Sequence, residues 1–243
     1  MRNERRVIGS CNQNLMDIMG DIYEANGHKI DAIPFRKALI TWGLEHFRPL
    51  PWRLTENPYN ILMAEIMLHR TQANQVGPIY NNFIKKYPTL HLLAAGNRKD
   101  IKELLYPLGL HWRVNSLHQM VFKLMDLFEG IIPQDKSHLL SLPGVSEYIA
   151  GSVRCFAWNI AEPLVDTNTV RVIGRLFDLD FKESSRRNRV FRQLISALVD
   201  KENPRAYNYA LLDLAGQICT KRKGANHNQC PILVWCKFGS KTI

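Results

Sequence analysis

The sequence predicts an all-α protein. Apolar residues recur at spacings of three and four almost throughout, no stretch reads as a long alternating strand, and several segments open on a capping residue followed by proline. With 243 residues, 46% of them hydrophobic, the chain can bury one or two cores without disulfide staples.

The first 33 residues are the exception to the pattern. Leu15, Ile18, Met19 and Ile22 could share a helix stripe, but Gly20 and the run Asn26-Gly27-His28-Lys29 weaken it, so a loosely docked extension is expected over 1–33. Over 34–47, Pro34 suits a first helical turn, and Ala38, Leu39, Trp42 and Leu44 face inward. The prolines of RPLPWR end that helix. Asn57 and Pro58 open the next one, which runs toward Gln72 and is apolar on nearly every face except at Glu65 and its last turn. A helix of that kind belongs at the centre of a fold. Shorter helices are predicted at 73–86, 89–95 and 98–107. A longer amphipathic one follows at 112–129, and further helices at 136–141, 146–158, 167–177, 185–200 and 205–218.

Lys and Arg number 32 against 22 Asp and Glu, a formal charge of +10. Such a surface attracts polyanions, although a membrane contact or a merely basic exterior would give the same balance. No apolar run approaches the ~18 residues that cross a bilayer, and the opening MRNERRVIGSC has no apolar stretch after its charges. The expected location is intracellular, in the cytoplasm or nucleoid if the source is prokaryotic, with no membrane partner. Five cysteines are too few and too uneven for a disulfide framework; Cys219, Cys230 and Cys236 fall within the last 25 residues, a pattern that points to metal before oxidation.

Between two predicted helices lies LPGVSEYIAG. Pro143 stops the first, Gly144 allows a backbone conformation that side chains disfavour, and Ser146 can cap the second. The resulting turn presents amides of Gly144, Val145 and Ser146, after Leu142, at a helix N-terminus where a DNA phosphate would be stabilised. LPG also joins helices with no ligand at all. Lys136 and Arg154 flank the turn, and Arg171, Arg175, Arg186, Arg187, Arg189 and Arg192 follow, either beside the same backbone or on a solvated face.

Three further residues carry chemistry. Asp166 precedes TNTVRVIGRLF, where its carboxylate would cap a helix; beside an extruded nucleotide it would also stabilise positive charge on the sugar and orient a water. Glu65 interrupts ILMAEIML, so it must be paired in a structural ion pair, or protonated in a polar pocket and available as a general acid. Tyr148 follows the hairpin, placed either to meet an expelled base or to pack in the core.

In their order, PWR at 51–53, PYNILMAEIMLHRTQ at 58–72, LGLHWR at 108–113, LPGVSEYIAGSV at 142–153, VDTNTVRVIGRL at 165–176 and the terminal cysteines make the chain similar to a known family. It resembles the endonuclease III and MutY superfamily of helix-hairpin-helix base-excision DNA glycosylases over about residues 35–237. The resemblance implies two helical domains flanking a DNA-binding cleft, one formed by 34–60 with 167–243 and the other by 61–166, acting on double-stranded DNA with a mismatched or damaged base. A monomer is expected. Asp166 falls on the family's catalytic aspartate and Gly144 in its hairpin. Tyr148 stands where bifunctional members have lysine; lacking an amine, it cannot form a Schiff base, so hydrolysis without efficient strand cleavage is implied.

Glu65 matches the glutamate of adenine-removing members, but thymine mismatch glycosylases of archaeal type carry one as well. LHRTQ and VDTNTVRV look closer to the thymine/uracil group, which is the favoured reading; adenine removal opposite guanine or oxidised guanine is the alternative. Arg70, with His69, resembles the position that fills the gap left by base flipping. A non-catalytic DNA-binding protein that keeps the hairpin is a third reading, and it leaves Glu65, Tyr148 and Asp166 unexplained. The family's cysteine loop implies a four-iron, four-sulfur cluster, here on Cys219, His227, Cys230 and Cys236. His227 replaces one cysteine and the first interval is a residue longer than usual. Zinc suits the same Cys3His set, and no metal is the remaining option.

Overall fold

The computed structural model describes residues 16–17, 21–69, 71–109, 113–221 and 227–241. Among them, a small antiparallel sheet of order β1-β2-β3 precedes twelve α-helices. The strands are β1 (Met16–Asp17), β2 (Ile22–Ala25) and β3 (His28–Asp31). This corrects the expected arm. Asn26 and Gly27 both take positive φ, 53° and 66°, the two-residue turn that matches strand twist, and Ile22 pairs with Asp31 while Ala25 pairs with His28. Ile22 therefore sits in a strand; Leu15, Ile18 and Met19 lie outside the described residues.

The helices are α1 (Ala32–Glu45), α2 (Pro58–Leu68), α3 (Ala73–Lys86), α4 (Leu90–Ala94), α5 (Arg98–Leu105) and α6 (Val114–Phe128). After them come α7 (Lys136–Leu140), α8 (Glu147–Trp158), α9 (Thr167–Phe177), α10 (Arg189–Leu198), α11 (Pro204–Gln217) and α12 (Lys237–Ser240). Their starts follow from capping chemistry. The Asn57 side chain accepts from the amides of Tyr59 and Asn60 ahead of α2, Ser146 accepts from Ile149 ahead of α8, and Asp31 accepts from Ile33 ahead of α1. Left-handed residues close others, Asn159 after α8 and Asp178 after α9.

Two hydrophobic clusters organise these elements. One gathers α2 to α8 around Leu62, Met63, Phe83, Met120 and Val153, and also takes Tyr209 from α11. The other joins Ile30 of β3 and Phe35 and Leu39 of α1 to α9, α10 and the rest of α11. Helix α2 is central, as its apolar circumference requires: Tyr59 and every residue from Ile61 to Met67 is buried, Glu65 included. Each large apolar side chain withdrawn there contributes ~1.5–3 kcal/mol of transfer free energy. No described helix is long and apolar enough to cross a membrane.

Candidate active site

A cavity of about 630 Å³ opens between α2, the start of α8, the N-terminus of α9 and α11. Glu65, His69, Ser146, Tyr148 and Asp166 all line it. These residues come from sequence segments about a hundred positions apart; packing of α8 against α2 joins four of them, and Asp166 enters at the N-terminus of α9.

Asp166 is the N-cap of α9, with a reciprocal capping box. Its Oδ1 accepts from the amides of Asn168, 2.8 Å, and Thr169, 2.7 Å, its Oδ2 accepts from Asn168 Nδ2 at 2.7 Å, and its own amide donates to Thr169 Oγ1 at 2.9 Å. Three donors and the positive end of a helix hold the carboxylate in one orientation. The brace extends further: Asn168 Oδ1 accepts from Arg171 Nη1 at 3.1 Å, and Arg171 donates to the carbonyls of Cys219 and Ala215, both at 2.8 Å.

Glu65 is 6% exposed. Burial pushes its carboxyl up to about 8, the nearby Arg53 guanidinium pulls the other way, and the Asp166 charge adds to the rise. Tyr148 is half-buried on the same wall, and burial together with the charges of Glu65 and Asp166 holds its phenol well above the usual range. It is therefore neutral at any working pH.

Sequence reasoning missed the support under Glu65. Arg53 is 4% exposed at its side chain and donates Nη1 to both oxygens of Asp213, 2.9 and 2.8 Å, while Arg48 Nε donates to the same carboxylate. Asp213 is fully buried. The Arg53 guanidinium lies over the Tyr209 ring, 4.6 Å to its centroid, and Tyr209 stacks on Phe156 at 4.1 Å. Arginine in PWR and aspartate in LLDLAG are both buried charges written into apolar surroundings, and that opposition was the available signal.

In the hairpin, Gly144 has φ +84° and is exposed, so the conformation rather than space requires glycine there: an added Cβ would meet only Ser116, at 3.5 Å. Val145 donates its amide to the Leu142 carbonyl at 3.1 Å, closing the turn. The Leu142 side chain is buried in the first cluster, while Gly144 and Ser146 are exposed. Arg154 and Arg171, both expected beside DNA, are turned inward. Arg154 donates to Glu162, 2.7 Å, and to the Gln134 carbonyl, 2.6 Å, and Arg171 is buried in the brace described above. Arg70 and residues 110–112 of LGLHWR lie outside the described residues.

The metal expectation is overturned. Among the described residues, no three His, Cys, Asp or Glu side chains are grouped so as to hold an ion, and Cys219, His227, Cys230 and Cys236 are all described. Their sulfurs serve the polypeptide instead. Cys219 Sγ accepts from Arg175 Nη1 at 3.2 Å, and Cys236 Sγ accepts from the Gly239 amide at 3.4 Å while capping α12. Cys230 packs against the second cluster, and burial pushes its thiol up to about 12. The His227 ring meets the edge of Phe238 at 5.6 Å. Among the described residues, no site for an iron-sulfur cluster or for zinc is evident.

A helical fold with a turn-capped helix beside a cavity holding one fixed carboxylate and one buried carboxyl group defines a class. The chain belongs to the HhH-GPD superfamily of base excision DNA repair proteins, whose pattern it matches over residues 63–196. Within that class it is similar to the thymine/uracil-DNA glycosylase of Pyrobaculum aerophilum, 37% identical over 210 residues that cover 84% of this chain and 90% of that protein. The thymine-DNA glycosylase of Aeropyrum pernix is 35% identical over 217 residues, 86% of this chain and 95% of the other. The solved structure of a thermostable thymine-DNA glycosylase superposes with a TM-score of 0.78 at 30% identity, covering 86% and 97% of the two chains.

The acidity of Glu65 yields a test. If its protonated form takes part in the reaction, base release declines as pH rises through about 8, and the Glu65→Gln variant, which cannot ionise, loses that alkaline limb. Single-turnover rates between pH 6 and 10 report it. Unfolding follows the same sign: the unfolded chain ionises this carboxyl near its ordinary 4.5, the folded protein binds the extra proton up to about 8, and stability declines across that window.

Proposed function

We propose that the protein is a monofunctional DNA glycosylase that removes thymine or uracil opposite guanine, leaving an abasic site. The observation that carries the reading is the meeting of Glu65, Tyr148 and Asp166 on one cavity beside the hairpin, in a chain similar to thymine/uracil-DNA glycosylases. The hairpin amides grip a phosphate, and the target nucleotide leaves the stack to enter the cavity, at a lower cost when its pairing is already weak.

The reaction then breaks the bond from the sugar's anomeric carbon to the base. The bonding electrons leave with the base, which the Glu65 carboxyl receives by donating its proton or a hydrogen bond. Positive charge grows on the sugar and is met by the Asp166 carboxylate, which also takes the proton released as water adds to the anomeric carbon. Tyr148 supplies a neutral aromatic wall. Having no amine, it forms no imine with the opened sugar, and strand cleavage does not accompany base loss. His69, the C-cap of α2, lines the same cavity, and in this reading it meets the opposite strand.

Labelled duplexes carrying T:G, U:G, A:G or C:G test this. Cleavage of the T:G and U:G strands that appears only after alkali is the expected result. Cleavage without alkali, trapped by borohydride, would overturn the hydrolytic part, and release of adenine in preference to thymine and uracil would overturn the choice of base.

A further inference from the structure

A second groove, of about 490 Å³, runs along the other side of the first turn of α8. Lys136, Arg186, Arg187, Arg189 and Arg192 line it, against Glu147 as its one carboxylate, with Gln193 and Ser196 of α10 on the same wall. Tyr148, Val165 and Arg186 line both this groove and the active-site cavity, so the two share a wall.

The sequence offered eight arginines and lysines around the hairpin as equals, and the fold separates them. Arg154 and Arg171 are engaged inside the protein, Arg175 is held by the Thr220 carbonyl at 2.7 Å, and Lys136 reaches Glu162 at 2.6 Å. Arg186 pairs with Glu183 at 3.3 Å and Arg192 with Glu147 at 2.5 Å, both pairs exposed and therefore weak enough to exchange for another anion. Arg187 and Arg189 are exposed in the groove, and no described carboxylate lies within pairing distance of either. Like charges gathered on one short stretch repel one another, so a conformation that collects them is stabilised by an anion between them.

We propose that this groove is a second phosphate-binding site, which receives consecutive phosphates of the same DNA strand whose nucleotide enters the active-site cavity. The inference rests on the glycosylase reading above. It adds a direction: the strand is gripped by hairpin amides on one side of Tyr148 and by guanidinium groups on the other. Two cation sets flanking one nucleotide hold the backbone apart on either side of it, which favours extrusion over simple bending. The size of the groove favours a strand over a lone anion, because one strand presents a charge every ~3.4 Å of helix axis.

The test uses the full chain and a duplex with a single U:G pair. In the Arg187→Ala/Arg189→Ala double variant, the slope of log affinity against log salt should fall by about 1.8, at ~0.9 for each lost phosphate contact. The single-turnover rate of the wild-type protein at saturation reports base release apart from the salt dependence of binding. Neutral methylphosphonates, placed one at a time along the uracil strand, should weaken binding of the wild-type protein at one or two positions next to the uracil, and the variant should be indifferent at those positions. An unchanged salt slope, or methylphosphonate sensitivity that the variant retains, would overturn the proposal. So would sensitivity confined to the guanine strand, which would assign the groove to the other backbone. Base release at saturation reports the proposed activity separately, so failure of one leaves the other standing.

Discussion

Asp166→Asn is expected to lower base release by about 10³-fold, the scale seen when a preorganised electrostatic group is lost from a reaction centre. The fold should survive. Asparagine caps helices about as well as aspartate, and its carbonyl oxygen can keep the two amide bonds from Asn168 and Thr169. What changes is the second oxygen: an amide nitrogen there meets the Asn168 Nδ2 group as donor against donor, which costs on the order of 1 kcal/mol. Duplex binding should change little. Single-turnover excision and a binding isotherm on the same U:G duplex separate the two effects, and a variant that releases uracil within tenfold of wild type would remove Asp166 from the chemistry.

The second large effect belongs to a residue that touches no substrate. Asp213→Ala leaves the Arg53 guanidinium buried without its carboxylate, a change expected to cost about 3–5 kcal/mol of stability, read as a lower denaturant midpoint with unchanged slope. Arg48 is 38% exposed at its side chain and can turn to solvent; Arg53, at 4%, cannot. The unpaired charge then acts on Glu65, whose carboxyl it already pulls downward. Whatever protein stays folded should show its alkaline decline in base release at a lower pH than wild type. Replacing both partners, Arg53→Met with Asp213→Leu, should restore much of the stability, because a buried pair is often no better than apolar side chains of similar volume. A single variant that unfolds at the wild-type midpoint would show that the pair contributes nothing.

Much of this was legible from the chain. Caps and prolines announced α2, α8 and α9, and the all-apolar circumference of α2 placed it at the centre with Glu65 as its anomaly. Asp166 could be read as a cap from its position alone. The sheet was misread because Asn26-Gly27 was weighed as a helix breaker, whereas the same pair is the commonest signal of a two-residue hairpin. Arginines were the least legible. A guanidinium looks alike on a surface and in a core, and only the carbonyls left open at the end of α11 explain why Arg171 turns inward while Arg189 does not. The cysteines misled for a related reason. Spacing along a chain counts residues, but a ligand set needs convergent side chains, and here arginine, backbone and core packing take up the sulfurs.

Helix α9 is anchored at its far end as well as at Asp166. Asn26, at the tip of the β2-β3 turn, donates its side-chain amide to the carbonyls of Phe177, 3.2 Å, and Asp178, 2.9 Å, and His28 bonds the Trp235 carbonyl at 2.6 Å. Eleven residues at ~1.5 Å each make α9 a rod about 16 Å long, clamped at the tail by a turn 151 positions earlier in the chain. Its head carries the carboxylate. A strut held at its tail resists sliding along its own axis, so the small sheet steadies the helix whose head carries Asp166.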